Sequence, residues 1–276
     1  MLKKLKIAFI GSGVMAEAMI KGLVDQQLIP AQNVVASDVR PERGKELAER
    51  YGVVGTQDNR AAASQADIVV LSVKPQIVSE VLDELGPHTV QPHALVLSIV
   101  AGTTIQRIAR GLGHPAIVRV MPNTPAQIGM GMSVWTATPD VSETQRQQAK
   151  TMLGALGEEL YVDHEDYLDM ATALSGTGPA YIFLVMEALI DAGVHMGFAR
   201  RVAELLVLQT MRGSVEFARQ SRRHPAELRN MVTSPGGTSA EALYQLEKGG
   251  LRTVISKAVW AAYQKSKYLG SLSNEQ

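Results

Sequence analysis

Leu5-Lys6-Ile7-Ala8-Phe9-Ile10-Gly11-Ser12-Gly13-Val14-Met15-Ala16 is the stretch that decides the fold. Its short apolar run is closed by glycine, which is typical of a buried β-strand. Gly11 permits a tight turn, Gly13 removes a side chain where a pyrophosphate would approach the backbone, and Ala16 lets a helix pack closely on the strand. A helical pattern follows over residues 14–24, and the free N–H groups at its start form an anion site. The order of strand, glycines and helix predicts dinucleotide binding, with an ordinary glycine turn as the alternative.

Length, charge and composition limit the classes of protein to consider. The 276 residues suffice for two domains of ordinary size. The 27 Lys and Arg residues balance the 27 Asp and Glu residues, which gives no indication of a nucleic-acid or membrane-surface partner. The lack of cysteine excludes disulfides, thiolate catalysis and Cys-ligated zinc. The 6 histidines show no metal-ligand spacing, so we expect no metal site.

Two features bear on localisation. The first predicted strand begins too close to Met1 to leave room for a signal peptide. The densest apolar run, residues 180–186, is too short to span a bilayer. We therefore expect a soluble, cytoplasmic protein with no membrane association.

Apolar and β-branched runs recur after the first helix and alternate with helical stretches. The predicted strands are residues 33–38, 66–75 with a closing turn, 94–100, 115–120 and 160–162, and a second helix is predicted at Pro41–Tyr51. This alternation predicts an α/β fold with a doubly wound parallel sheet covered on both faces. Ligands sit beyond the carboxyl ends of such strands, so residues 74–75, 101–102 and 121–125 are expected around one crevice. The prolines of residues 121–125 could equally be ordinary turn residues.

Asp38 stands where a dinucleotide-binding unit often carries an acidic residue, about 20 residues after the glycines. An Asp there would bind the adenosine ribose hydroxyls and favour NAD. Arg40 and Arg43 follow at once and could instead pair with a 2′-phosphate. A third reading is that Asp38 only caps the helix beginning near Pro41.

From residue 165 onward the pattern is helical throughout. Helices are predicted at residues 179–196, 199–219, 225–231, 239–248 and 251–269. We place the domain boundary near residue 164, giving a dinucleotide-binding domain at 1–164 and an all-helical domain at 165–276. One helix is apolar on more than one face, which predicts an obligate homodimer; the residues concerned are Val202, Leu205, Leu206, Val207, Leu208 and Met211.

Two motifs in the helical half are not ordinary helix. Residues 175–181 read as a flexible, hydroxyl-bearing turn with a proline at the first helical turn. Residues 233–239 read as a second such turn, whose glycines bare the backbone N–H groups ahead of a helix dipole. Either motif could be only a helix N-cap. Two such helix starts in one domain favour a site for a substrate anion.

On these motifs the chain resembles pyrroline-5-carboxylate reductase, the last enzyme of proline synthesis. The resemblance covers essentially the whole length. It rests on residues 11–16, 73–75, 121–125, 175–181 and, most specifically, 234–243, which are similar to the family signature. It implies a Rossmann-type domain followed by an all-α dimerisation domain that forms an intertwined homodimer, often assembled further into a ring of dimers.

The resemblance also implies roles for individual residues. The cofactor-binding residues would be Gly11, Ser12, Gly13, Val14, Met15 and Ala16 at the pyrophosphate, Ser37, Asp38, Arg40 and Asn59 at the adenosine half, and Ser72, Val73, Lys74, Pro75, Ala101, Gly102 and Asn123 at the nicotinamide end. The substrate carboxylate would be bound by Val232, Ser234, Gly237, Thr238 and Ser239, of which Thr238 and Ser239 would be the catalytic pair.

Three positions depart from the family pattern. Val14 occupies a place where Asn is common, so one polar contact to the cofactor is lost. Val39 stands where many members carry an Arg for the 2′-phosphate, which leaves Arg40 as the substitute. Ser239 occupies the signature's threonine position and keeps the hydroxyl.

The implied reaction is hydride transfer from NADPH, with NADH also possible, to a cyclic imine carboxylate, which gives L-proline. A protonated imine is already a strong electrophile, so the protein mainly has to align donor and acceptor, and no acid/base pair is needed. One alternative is a two-domain dehydrogenase of the β-hydroxyacid type. Such an enzyme wants a helical lysine near the nicotinamide, and the lysines of the helical half all fall late. A second alternative is a nucleotide-binding regulator without catalysis, which would not need the intact loops at 121–125 and 234–239.

Overall fold

The computed structural model describes residues 2–275. Within them, eight strands form one sheet: β1 (Ile7–Ile10), β2 (Val34–Ser37), β3 (Val54–Thr56), β4 (Ile68–Leu71), β5 (Leu95–Ser98), β6 (Ile117–Met121), β7 (Gly131–Ala137) and β8 (Gly157–Tyr161). Their order across the sheet is β3-β2-β1-β4-β5-β6-β7-β8. Neighbours from β3 to β6 are parallel, β7 is antiparallel to β6, and β8 is parallel to β7. The strand order reverses between β1 and β4, as in a Rossmann sheet.

Helices connect these strands and continue to the end of the described chain. Those between the strands are α1 (Val14–Asp25), α2 (Pro41–Tyr51), α3 (Asn59–Ser64), α4 (Val78–Leu85), α5 (Ile105–Leu112) and α6 (Glu143–Gly154). Those after the sheet are α7 (Asp166–Ala171), α8 (Gly178–His195), α9 (Arg200–Ser221), α10 (Pro225–Met231), α11 (Thr238–Lys248) and α12 (Leu251–Glu275). A single π-helical turn, Thr172–Gly176, joins α7 to α8.

The central strands are buried on both faces, and alternate residues supply two cores. On β1, Ile7 and Phe9 join the core that contains Met19 of α1 and Leu153 of α6. Ala8 and Ile10 point the other way and join the core that contains side chains of α4 and α5. Two covered faces explain why the strand reads as a continuous apolar run, and they confirm the predicted doubly wound sheet.

The structure corrects three local predictions. Residues 175–181 do not form a separate turn, because the π-helical turn runs into α8, which begins at Gly178. The sequence interpretation missed β3, which is three residues long and has glycine at its centre. It also missed β7, which follows β6 without an intervening helix and pairs with it antiparallel.

The chain divides into two compact units. The first unit is the chain through Gly178 together with the chain from Ala262 onward; the second unit is Pro179–Ala261. The predicted boundary near residue 164 stays a prediction. Within the first unit, the end of α12 returns to the Rossmann part: the Ser266 hydroxyl donates to Asp169 Oδ1 at 2.6 Å.

Much of the apolar surface of the second unit is exposed in the single chain. Leu205 and Val254 are 69% and 60% exposed, and several other large apolar side chains of α8, α9 and α12 share this exposure. The helical run Asp166–His195 is long and apolar enough to cross a membrane by length and composition alone, with few of its residues buried in the chain. The helix extends on both sides of residues 180–186, so the length argument against a bilayer span does not hold for it. The lack of membrane association therefore stays a prediction.

A glycine pair sets how closely α2 approaches the edge of the sheet. A Cβ atom added at Gly55 of β3 would lie 2.7 Å from the carbonyl oxygen of Gly44 and 2.9 Å from its Cα. These are backbone atoms, so α2 would have to move away from β3 to admit even one methyl group.

We expect Gly55→Ala to lower the free energy of unfolding by about 1–3 kcal/mol, the usual cost of overpacking. Gly154→Ala is the matched control, because its added Cβ would meet no atom within 4 Å beyond its chain neighbours and its own helix backbone. That variant should unfold at the wild-type urea concentration or slightly above it. Equal urea midpoints for wild type and Gly55→Ala would show that α2 is free to shift.

Candidate functional site

The predicted cofactor-binding residues all follow the carboxyl ends of parallel strands. Their positions are residues 11–16 after β1, 37–40 at the end of β2, Asn59 after β3, 72–75 after β4, 101–102 after β5 and Asn123 after β6. Carboxyl ends of parallel strands meet at one edge of a sheet, and ligands bind there where the strand order reverses. The structure therefore brings these residues to the carboxyl-terminal end of the sheet, where a dinucleotide is expected.

The glycine turn after β1 has the shape that a pyrophosphate site needs. Gly11 has φ +88°, and an added Cβ would lie 2.7 Å from Val73 Cγ1, so only glycine fits there. Gly13 is the N-cap of α1 and makes no side-chain cap. Apart from its chain neighbours, no residue comes within 4 Å of the Cβ position at Gly13. The start of α1 thus keeps open space beside bare N–H groups, which suits the pyrophosphate of a dinucleotide.

The rest of residues 11–16 divides into exposed and packed side chains. Val14 is exposed at the helix start, whereas Ala16 is buried in the core and Met15 packs against it. The turn is also tied to the loop after β4, because the Ser72 hydroxyl donates to the carbonyl oxygen of Gly11 at 2.6 Å. Two of the predicted cofactor loops are therefore joined directly.

Ser12 is fully buried, and each of its polar groups has a protein partner. Its N–H donates to Asp38 Oδ2 at 3.2 Å, and its hydroxyl donates to the carbonyl oxygen of Ser37 at 3.0 Å. Its own carbonyl oxygen accepts from Arg43 Nε at 2.8 Å. The segment from β2 to α2 therefore fixes the predicted phosphate loop, residues 11–13, through Ser12.

Asp38 takes part in this fixation and does not cap α2. The N-cap of α2 is Arg40, with no side-chain cap, so the capping interpretation is wrong. The Asp38 side chain is 9% exposed, and its Oδ1 accepts from both the backbone N–H and the Nε of Arg40. Burial alone would raise the pKa of Asp38, but the hydrogen bonds from Arg40 and Ser12 outweigh it and lower the pKa below its ordinary value. The carboxylate is therefore charged at neutral pH.

The two arginines that follow Asp38 have different environments. Arg40 is 63% exposed, whereas Arg43 is 12% exposed. Besides its bond to Ser12, the Arg43 guanidinium pairs with Glu46 at 2.7 Å and with Glu17 of α1. Only Arg40 of this pair has a guanidinium exposed enough to meet a ligand phosphate.

Glu17 lies in the first turn of α1 and collects several donors. Besides Arg43, its Oε1 accepts from Arg50 Nη1 and from the Tyr51 hydroxyl, both at 2.9 Å. Partial burial by itself would raise the pKa of Glu17, but the hydrogen bonds from Arg43, Tyr51 and Arg50 outweigh it and leave the pKa below its usual value. Sequence reasoning missed this cluster, because Glu17 and Arg43 are 26 positions apart with no motif linking them.

At the predicted adenosine side, Asn59 is the middle of a short hydrogen-bonded chain. The Ser37 hydroxyl donates to Asn59 Oδ1 at 2.7 Å, and Asn59 Nδ2 donates to Glu84 Oε2 at 2.7 Å. Glu84, on α4, was not among the predicted site residues. The amide of Asn59 is thus already oriented.

At the predicted nicotinamide end, Lys74 and Pro75 are exposed after β4. Gly102 has φ +72°, and an added Cβ would meet Leu269 of α12 at 3.5 Å. Asn123 fastens its own loop: its Nδ2 donates to the carbonyl oxygen of Ser175 at 3.1 Å, and its Oδ1 accepts from the N–H of Met132 at 2.8 Å. The roles of these residues toward a cofactor stay predictions.

A partly buried ion pair that the sequence interpretation missed lies at the start of α5. Arg119 of β6 is buried, and its Nη1 donates to Glu165 Oε1 at 2.6 Å. The same oxygen accepts the N–H of Ile105 at the start of α5 at 2.8 Å. Glu165 therefore joins β6 to α5 next to residues 101–102. Among residues 2–275, no group of three or more His, Cys, Asp or Glu side chains could hold a metal ion.

In the second unit, the predicted carboxylate-binding residues form the approach to α11. Val232 is the C-cap of α10, and Gly236 takes a left-handed backbone with φ +69°. The N–H of Gly237 donates to the carbonyl oxygen of Ser234 at 3.0 Å, which closes a tight turn. Gly237 is the N-cap and makes no side-chain cap, so Thr238 and Ser239 begin a helix whose first N–H groups have no side-chain capping partner. This arrangement suits a carboxylate.

Two family models match the chain. The model described as "Pyrroline-5-carboxylate reductase dimerisation" matches residues 165–269, and that described as "NADP oxidoreductase coenzyme F420-dependent" matches residues 6–102. Together they reproduce the predicted order of a Rossmann-type domain and a dimerisation domain.

Relatives match over nearly the whole length. The chain is 40% identical to the pyrroline-5-carboxylate reductase of Synechocystis sp., over 96% of this chain and 98% of that protein. It is 42% identical to the enzyme of the same name from Pseudomonas aeruginosa, over 96% of each chain. Among solved structures, Plasmodium falciparum pyrroline carboxylate reductase with NADP bound aligns with a TM-score of 0.89 at 33% identity, covering 97% of this chain and 99% of that one.

Proposed function

The chain belongs to the pyrroline-5-carboxylate reductase family, and we propose that it reduces the C–N double bond of 1-pyrroline-5-carboxylate with hydride from NADPH to give L-proline. The observation that carries the proposal is identity of about two residues in five with enzymes of this name over nearly the whole chain. The open start of α1 beside Gly13 supports it, because the residues present fit a dinucleotide pyrophosphate.

We expect the purified protein to oxidise NADPH only when 1-pyrroline-5-carboxylate is added, with proline formed in equal amount. The loss of NADPH absorbance measures the oxidised dinucleotide, and the proline recovered measures the second product of the same turnover. Oxidation of a β-hydroxyacid with NADP+ or NAD+ as the hydride acceptor, without turnover of the imine, would favour the alternative dehydrogenase. Binding of NADPH without turnover of either substrate would favour the regulator.

In this proposal the residues of the chain bind and orient, while the bound dinucleotide supplies the hydride. The N–H groups at the start of α1 hold the pyrophosphate, and those at Thr238 and Ser239 hold the substrate carboxylate. Alignment of two bound reactants can account for a large part of the rate enhancement. A protonated imine accepts hydride at carbon without a further proton from the protein, so Thr238 and Ser239 act as the binding pair for the reacting molecule.

The Ser239 hydroxyl is the most specific part of the proposed anchor. Ser239→Ala should raise KM for the imine roughly ten- to a hundredfold, because a charge-assisted hydrogen bond contributes about 1.5–3 kcal/mol. The KM for NADPH should stay nearly unchanged. Steady-state kinetics with each substrate varied in turn measures both constants.

Two controls separate this role from a structural one. Ser239→Thr keeps the hydroxyl and should behave like the wild type. A cyclic imine without the carboxylate should not distinguish wild type from Ser239→Ala. If Ser239→Ala turns over the carboxylated imine as well as wild type does, the substrate is held elsewhere.

For the cofactor, we propose NADPH, with NADH also accepted. Arg40 is the exposed guanidinium beside the ribose position, and Asp38 is a carboxylate that would repel a 2′-phosphate at the same place. Asp38→Ala removes the repulsion and releases Arg40 from its ion pair. The ratio of kcat/KM for NADPH to that for NADH should then rise, by roughly fivefold for one near-surface charge.

The ratio of the two kcat/KM values is the proper readout. Asp38 also accepts a hydrogen bond from the N–H of Ser12, so its loss weakens the binding of both dinucleotides. Asp140→Ala is the control; its carboxylate follows the antiparallel β7, whose end lies at the opposite edge of the sheet. An unchanged ratio in Asp38→Ala would place the carboxylate away from the ribose.

The dimerisation region supports an oligomer, and we propose a homodimer in the cytoplasm. The exposed apolar side chains of the second unit, such as Leu184, Leu205 and Val215, are the surface that a partner copy would cover. Assembly into a ring of dimers and the lack of nucleic-acid and membrane partners belong to the same proposal. A stable, active monomer in sedimentation at low concentration would contradict the homodimer.

A further inference from the structure

The guanidinium of Arg43 connects the phosphate loop to an acidic side chain of the helix that receives the phosphate. Its Nε donates to the carbonyl oxygen of Ser12 at 2.8 Å, and its Nη2 pairs with Glu17 Oε2. Its Nη1 pairs with Glu46 at 2.7 Å. All three nitrogens of the guanidinium are therefore engaged, and the side chain is 12% exposed.

The connection to Glu17 affects how strongly the start of α1 attracts an anion. A carboxylate in the first turn of α1 interacts favourably with the positive end of the helix dipole. The same end is where an anionic pyrophosphate binds, so an uncompensated Glu17 would weaken the field that attracts it. Arg43, Arg50 and Tyr51 are the groups that face Glu17, and of these Arg43 alone also touches the phosphate loop.

We propose that Arg43 is a positioning residue for the dinucleotide, which fixes the Ser12 carbonyl and neutralises Glu17 so that the start of α1 stays attractive to the pyrophosphate. The inference rests on the proposed dinucleotide binding. It differs from the expectation that Arg43 meets a 2′-phosphate, because each guanidinium nitrogen already donates to a protein oxygen and the side chain is only 12% exposed.

The proposal predicts how variants bind dinucleotides. Arg43→Met should raise the Kd of NADPH and of NADH by a similar factor, roughly tenfold for a lost charged hydrogen bond. Glu17→Gln should bind NADPH at least as tightly as wild type. The double variant Arg43→Met/Glu17→Gln should recover part of the loss, since it removes the uncompensated carboxylate but not the missing bond to Ser12.

The measurements are made on the full chain by titrating NADPH quenching of tryptophan fluorescence or by calorimetry. Adenosine 2′-monophosphate, which has no pyrophosphate, is the second probe, and its Kd should be the same in wild type and Arg43→Met. Lys150→Met is the matched control, because it removes a cation of the first unit that pairs with Glu159. The KM for the imine at saturating NADPH should not change in any of these variants.

A further variant covers the case in which Arg43→Met does not fold. Arg43→Lys keeps the charge but loses the fork that reaches Ser12 and Glu17 together. Its Kd for NADPH should lie between those of wild type and Arg43→Met. If Arg43→Met is insoluble, the Kd of Arg43→Lys should still be higher than that of wild type. A Kd equal to wild type in both Arg43 variants would overturn the positioning role.

Other outcomes separate the parts of the proposal. If Arg43→Met weakens the binding of adenosine 2′-monophosphate as much as that of NADPH, Arg43 contacts the 2′-phosphate and the proposal is wrong. If the double variant binds no better than Arg43→Met, the neutralisation of Glu17 is wrong. If wild type itself binds no dinucleotide, the proposed function fails, which is distinct from wild-type binding that Arg43→Met leaves unchanged.

Discussion

The site depends on one steric constraint, the close approach of the turn after β1 to the loop after β4. Gly11 sits in a left-handed conformation with Val73 so near that no Cβ fits, and Ser72 donates to its carbonyl oxygen. The turn is therefore held by two strands that lie on either side of the reversal in strand order. Ser12 is held from the third side by the segment after β2. Once these contacts are made, the start of α1 can point only at the edge of the sheet where a dinucleotide would lie.

Electrostatic balance is the second requirement at that edge. Acidic side chains stand close to the proposed phosphate position, with Asp38 behind Ser12 and Glu17 in the first turn of α1. Each is matched by an arginine of the segment that begins at β2, and the pKa of each carboxylate is lowered as a result. The local field is set by pairs of side chains, which agrees with an overall net charge of zero.

The sequence predicts the main sheet because its strands carry strong local signals. β1 and β4 are buried on both faces and read as apolar runs, and Pro41–Tyr51 begins and ends where proline and glycine place it. β3 has a glycine at its centre, and β7 depends on antiparallel pairing with β6, which no local pattern announces. The site also combines features that a local motif predicts with features that depend on contacts between distant residues. The open backbone at Gly13 follows from the motif, whereas the low exposure of Arg43 goes with its pairing to Glu17, 26 positions away, which no local pattern predicts.

The return of the last helix to the first unit has a consequence for how the protein is made. Ser266 bonds to Asp169, and Leu269 lies against Gly102, so residues near the carboxyl end complete a unit that begins at the amino end. A chain emerging from the ribosome can form the sheet early, but the surfaces around Gly102 and Asp169 stay uncovered until Ser266 and Leu269 have been synthesised. Long-range closure of this kind is slow in folding, since the entropy of a large loop is lost before its contacts form. The first unit is therefore completed only after the whole of the second unit, Pro179–Ala261, has been synthesised.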